Sequence, residues 1–158
     1  MDGWQTELVA AVQTDVPVAP KLTVLLPAFN EEHAIEPVLE EIVAALAEEG
    51  YPYEIVVVDD GSTDATAQVV EQFAANSWNV NVRLVRCPLR RGAGAARKVG
   101  IRHARGEVIV MLDADGSYDA ACIPQLMEHF PAYDQVNGAR TSAQGTMPVL
   151  RGTAKWLI

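Results

Sequence analysis

Cysteine is scarce in this sequence: only Cys87 and Cys122 occur among 158 residues, far apart and without a CxxC pair. Two thiols are too few for a disulfide scaffold or a zinc site, so a reducing, cytoplasmic setting is the expectation. Long apolar runs are also missing. No stretch approaches the ~20 residues a membrane span requires. Bases are absent from the first 20 residues, which hold three acids and end in a proline-rich run. A secretory signal peptide needs a basic start, so residues 1–20 read as a flexible leader. No repeat and no low-complexity tract is present. Histidine occurs only singly, as His33, His103 and His129, outside the motifs described below, and reads as surface or core.

What is there can fill a core. Hydrophobic residues make up 49% and charged residues 21%, a balance that argues against global disorder. The length suits one domain, expected over residues 21–158. The net charge of -9 is unevenly spread. Residues 1–80 carry fifteen acids and one base, Lys21, whereas residues 81–110 carry eight bases and one acid, Glu107. An acidic chain with one basic segment suits a local anionic ligand and no nucleic acid. A solvated helix face is the alternative reading for most of these arginines.

The hydrophobic pattern alternates. Residues 22–26 (LTVLL), 55–58, 82–85 and 108–112 are short, apolar and rich in β-branched residues, as buried strands are. Helical spacing follows each: Ile35, Leu39, Ile42, Val43 and Leu46; Val69, Val70 and Phe73, capped by Ser62 or Thr63; then residues 93–104; then Ile123, Leu126 and Met127. Pro37 must fall in a first turn, where its missing N–H costs nothing. Residues 133–136 offer a further short strand. The expected class is α/β, a mostly parallel central sheet flanked by helices.

Ligands of such sheets bind outside the carboxyl ends of the strands. Carboxylates cluster there: Glu31 and Glu32 after the first strand, Asp59, Asp60 and Asp64 after the second, Asp113 and Asp115 after the fourth. Residues i and i+2 of an extended chain point the same way. Asp113 and Asp115 would then repel unless a cation lay between them, and oxygen donors select Mg2+ or Mn2+. A helix cap is the alternative role for that pair, and a turn for Asp60-Gly61-Ser62. The segment Arg90-Arg91-Gly92-Ala93-Gly94 is neither a Walker loop nor a complete GxGxxG. Its small residues could present backbone N–H groups to an anion, or simply let helix and sheet pack closely.

Taken together, PAFNEE, VVVDDGSTDAT, RRGAGAARKVGI, VIVMLDADGS and VNGAR resemble glycosyltransferase family 2 in order and spacing, over residues 22–140. Within it the chain is most similar to the dolichyl- and polyprenyl-phosphate sugar synthase branch. The resemblance implies a Rossmann-like GT-A fold and a metal-dependent, inverting transfer from a GDP- or UDP-sugar to a lipid phosphate. It implies that Pro27, Phe29 and Glu31 line the nucleoside pocket and that Asp60, with Asp59, orients the nucleotide. It implies that Asp113 and Asp115 hold Mg2+ or Mn2+ on the diphosphate, with Asp115 and Arg140 in the catalytic role. Arg140 matches the arginine that binds the acceptor phosphate; Arg151 and Lys155 are looser additions. The chain departs from the pattern at Ala93, where many relatives have lysine, and at Ser117, where many have glutamine or asparagine. Relatives continue past Ile158 with acceptor-binding and membrane-associating segments. The chain is therefore expected to be an incomplete enzyme, cytoplasmic or at the cytoplasmic face of a membrane. A module that binds a nucleotide-sugar without transferring it is the alternative. A phosphoryl-transfer domain is disfavoured, because it needs a lysine facing a nucleophilic aspartate, and Lys98 and Lys155 suit that role poorly.

Overall fold

The computed structural model of the chain describes residues 19–77 and 79–139. Its elements alternate: β1 (Leu22–Ala28), α1 (Ile35–Leu46), β2 (Tyr53–Asp59), α2 (Thr66–Asn76), β3 (Asn81–Arg86), α3 (Ala93–His103), β4 (Val108–Met111) and α4 (Cys122–Met127). The four strands form one parallel sheet in the order β3-β2-β1-β4. The chain divides into two compact units, Met1–Pro124 and Gln125–Ile158. The sheet and the cleft described below belong to the first, and residues 133–136 to the second.

The strands are apolar because both faces of the sheet are covered. Leu22, Val24, Leu25, Leu26, Ile55, Val56, Val57 and Val58 are all fully buried. α3 packs on β1 and β2, and Ala96 and Val99 join Leu25, Val56, Val58 and Val85 in one cluster. Pro27 lies inside β1, two residues past the last β4 pair, Leu25–Met111. The Leu25 carbonyl accepts from Leu112 N on the β4 side, and the Ala28 carbonyl accepts from Asp60 N on the β2 side. Pro27 therefore turns its nitrogen toward the β4 edge beyond that strand's end, and no ladder bond is lost. In α1 Pro37 falls in the first turn, as its missing donor requires.

The amino ends of the strands carry a buried polar knot. Glu54 is fully buried and accepts from the Thr23 hydroxyl at 2.8 Å, from Arg83 Nη1 at 2.8 Å and from the Arg105 amide at 2.7 Å. Gly106 N donates to Thr23 Oγ1 at 2.9 Å. A buried carboxylate persists only when paired and fully hydrogen-bonded, and this one ties three strands and the turn before β4 together.

Two sequence expectations fail. Residues 133–136 form no strand, and Tyr133 and Val136 are exposed; a strand needs a partner to take its backbone hydrogen bonds. Neither Ser62 nor Thr63 caps α2. The N-cap position is Ala65, which makes no side-chain cap; one residue earlier Asp64 accepts from Thr66 N at 3.0 Å, and Glu32 reaches over to accept from Ala65 N at 2.9 Å.

Candidate active site

The sheet order sets the site. From β1 the chain proceeds outward on one side through β2 and β3, while β4 lies on the other side. Where strand order reverses, the connections diverge and leave a crevice at the carboxyl ends. A cleft of about 300 Å³ lies there. Pro27, Phe29 and Glu31 line it from the end of β1 and the segment beyond. Asp60 comes from beyond β2, Asp113 and Asp115 from beyond β4, and Arg90, Gly92, Ala93, Ala96 and Arg97 from the loop and first turns of α3.

Asp60 is nearly buried, at 3% exposure. Its Oδ1 accepts from Arg91 N at 2.9 Å and its Oδ2 from Gly92 N at 2.7 Å. These amides lead into α3, the positive end of that helix, so the carboxylate is stabilised by charge-assisted bonds and by the dipole. The glycine-rich turn left two roles open, N–H groups for an anion or close packing of helix on sheet; the amides of Arg91 and Gly92 go to the Asp60 carboxylate. Gly61 makes the contact possible. Its φ is +74°, and a Cβ there would lie 2.7 Å from Arg90 N. Asp59 diverges from its neighbour. Its Oδ1 accepts from Ser62 N at 2.9 Å, and it borders an adjacent depression with Arg86 and Cys87.

The acidic pair also differs from its expected form. β4 ends at Met111, and Asp115 lies in a turn. Asp115 Oδ1 accepts from Ser117 N at 2.9 Å, and Gly116 has φ of 71°. A side chain that bonds the backbone two residues on creates a turn, so the pair does not share one edge of an extended strand. Both carboxylates still reach the cleft. Asp113 Oδ1 lies 2.6 Å from Arg97 Nη2. Burial, then the negative charges of Asp115 and Asp64, push the Glu31 carboxyl above its ordinary pKa. The Arg90 guanidinium carbon lies 3.9 Å from the centre of the Phe29 ring, a cation–π contact.

Among the described residues no group of three or more His, Cys, Asp or Glu side chains could hold a metal ion by itself. Two adjacent carboxylates nevertheless suit Mg2+ or Mn2+, which bind through one or two carboxylates and complete their shell with water and substrate phosphates. Asp113 and Asp115 are thus a fitting donor set when a phosphate oxygen joins them.

Arg140, Arg151 and Lys155 lie outside the described residues. Arg90 and Arg97 line the cleft but were not singled out from the basic segment. Helical spacing held the signal for one of them: Ala93, Ala96 and Arg97 stand at i, i+3 and i+4 and share a face. Two other arginines of that segment serve the scaffold, Arg83 against Glu54 and Arg86 against Glu71.

Known proteins with similar sequences and folds agree with this architecture. A human dolichyl-phosphate beta-glucosyltransferase is 35% identical over 102 residues, 61% of this chain and 32% of that protein. An undecaprenyl-phosphate 4-deoxy-4-formamido-L-arabinose transferase of Pseudomonas fluorescens is 36% identical over 124 residues, 78% of this chain and 36% of that protein. The chain thus spans about a third of the curated relatives it matches. Among solved structures, the mannosyltransferase of Pyrobaculum calidifontis in complex with GDP-Man and Mn2+ superposes with a TM-score of 0.54 at 39% identity, covering 62% of this chain and 28% of that one. The glucosyl-3-phosphoglycerate synthase of Mycobacterium tuberculosis superposes with a TM-score of 0.52 at 29% identity, over 70% of this chain and 40% of that one. The model of the family described as "Glycosyl transferase family 2" matches residues 23–153. With its parallel GT-A sheet and a cleft at the switch point of that sheet, this chain belongs to glycosyltransferase family 2.

Proposed function

We propose that the chain forms the donor-binding part of a metal-dependent, inverting glycosyltransferase that moves a sugar from a GDP- or UDP-sugar to a dolichyl or polyprenyl phosphate. The observation that carries this reading is the convergence of Asp113, Asp115, Arg90 and Arg97 on one cleft at the carboxyl ends of the strands. Relatives named for lipid-phosphate transfer, and a neighbouring structure in complex with GDP-Man and Mn2+, support it.

The residues divide the work. Asp60 fixes the turn into α3 by holding two of its amides. Pro27, Phe29 and Glu31 form the wall assigned to the nucleoside, with Asp60 orienting it and Asp59, which borders the adjacent depression, holding the turn at Ser62. Asp113 and Asp115 would hold Mg2+ or Mn2+. An ion bound there supplies Lewis acidity to the departing diphosphate. Loss of that leaving group makes the sugar carbon oxocarbenium-like. A hydroxyl acceptor would need a general base, and no histidine lines the cleft among the described residues. A phosphate monoester has a second pKa near ~6 and is already anionic at neutral pH. It needs positioning by cations, the role proposed for Arg140 and, more loosely, Arg151 and Lys155. Direct displacement by that oxygen inverts the sugar carbon. We place the reaction at the cytoplasmic face of a membrane because a polyprenyl phosphate is a membrane lipid. No helix among the described residues is long and apolar enough to cross one.

Titration calorimetry with GDP- and UDP-sugars, with and without Mn2+, tests the donor half. Affinity that requires Mn2+ and disappears in Asp113→Ala/Asp115→Ala supports the reading. Affinity untouched by those substitutions in manganese buffer rules it out. Transfer of a radiolabelled sugar to polyprenyl phosphate tests the acceptor half. Metal-dependent binding without transfer would favour a donor-binding module.

A further inference from the structure

We infer that Arg97 is a positioning residue that stands in for the divalent ion on Asp113 and yields to it when a nucleotide arrives. The inference deepens the metal reading above and rests on it. Arg97 Nη2 lies 2.6 Å from Asp113 Oδ1, and the two side chains are 43% and 36% exposed. A guanidinium in that place occupies one oxygen of the donor set and neutralises its charge. Because the pair is wet, it is held weakly and exchanges readily with other cations.

The backbone on each side is fixed, so only a side chain has to move. Asp113 follows Leu112, whose amide donates to Leu25 O at 3.1 Å, at the end of the sheet. Arg97 stands on α3 just beyond the turn clamped by Asp60. Arg90, the other arginine lining the cleft, makes a different contact. Its guanidinium lies over the Phe29 ring. Arg97 therefore sits against the acidic pair through the sequence of its helix, and Arg90 serves as an internal comparison.

Two consequences follow. Without nucleotide, Mn2+ must displace Arg97 to reach Asp113, and its affinity is reduced. With a diphosphate present, extra oxygen donors offset that competition. Uptake of the ion is thereby coupled to uptake of the donor.

Titration of the full chain with Mn2+, followed by the electron paramagnetic resonance signal of free Mn2+, tests this without any turnover. Arg97→Gln should tighten nucleotide-free Mn2+ binding about three- to tenfold, the range that an exposed ion pair permits. Arg97→Lys keeps the charge without the guanidinium fork and should fall between wild type and Arg97→Gln. Arg90→Gln removes a cation that does not touch Asp113 and should stay within roughly twofold of wild type. Unchanged or weaker binding in Arg97→Gln, with an intact circular dichroism spectrum, would overturn the inference. Equal tightening in Arg90→Gln would also overturn it, since general charge removal would then suffice. If no variant takes up Mn2+ even with GDP or UDP present, the metal reading itself fails, a different result from uptake that ignores Arg97.

Discussion

Glu54 and Asp64 show what a single carboxylate does in this fold. Glu54 neutralises Arg83, which is 4% exposed, and also holds a hydroxyl and an amide. Removing one partner of a buried pair leaves the other charge uncompensated, at a cost of about 3–5 kcal/mol. Glu54→Gln should lose about that much stability in urea unfolding at pH 7. Asp64 works through hydrogen bonds. Burial pushes its carboxyl up, but bonds from Thr66 and from the Glu32 amide outweigh that and hold it below the ordinary aspartate pKa. A depressed carboxyl means that the unfolded chain binds more protons over that range. The contribution of Asp64 is therefore full above about pH 4 and is lost as pH falls through the folded value. The stability gap between wild type and Asp64→Asn, read from urea midpoints, should be largest at pH 7 and shrink toward pH 3.

At the scale of elements, the loops after β2 and β3 behave as one piece. Cys87 N donates to Asp59 O at 2.8 Å, the Asp60 carboxylate holds the amides of Arg91 and Gly92, and Gly61 lies against Leu89 and Arg90. Gly61→Ala faces two costs, a left-handed φ of +74° and a backbone atom 2.7 Å from the new Cβ. Since a backbone cannot yield as a flexible side chain does, destabilisation of about 1–3 kcal/mol is expected. The displaced loop carries Arg90 and the start of α3, so affinity for a nucleotide-sugar in Mn2+ should fall in the same variant. Calorimetry and urea unfolding on one preparation check both effects.

Across the whole sheet, the two ends of the strands have separate duties. The amino ends carry the Glu54–Arg83 knot and no part of the cleft, whereas the carboxyl ends gather acids with Arg90 and Arg97. Like charges gathered at a site work against stability, as active sites commonly do. Asp115→Asn retains an oxygen for the Ser117 amide and removes a charge that bears on Glu31. Its stability should stay within about 0.5 kcal/mol of wild type, while Mn2+-dependent donor affinity drops by about tenfold or more. A large loss of stability with affinity preserved would contradict this division.

The sequence by itself determined the alternation of elements, because apolar runs such as 22–26 and 55–58 can be satisfied only when both faces of a sheet are covered. It also brought Pro27, Phe29, Glu31, Asp60, Asp113 and Asp115 to one edge, since the carboxyl ends of parallel strands all lie there. What the tertiary structure alone decided is which of these groups meet. Asp60 finds Arg91 and Gly92 at separations of 31 and 32 residues, Arg83 finds Glu54 at 29, and Arg97 finds Asp113 at 16. Such pairings depend on strand order and register, and neither periodicity nor composition encodes those distances. The same limit applies to the turn at Asp115 and to the exposed residues at 133–136. Hydrogen bonds to particular partners fix the first, and the second pairs with no strand among the described residues.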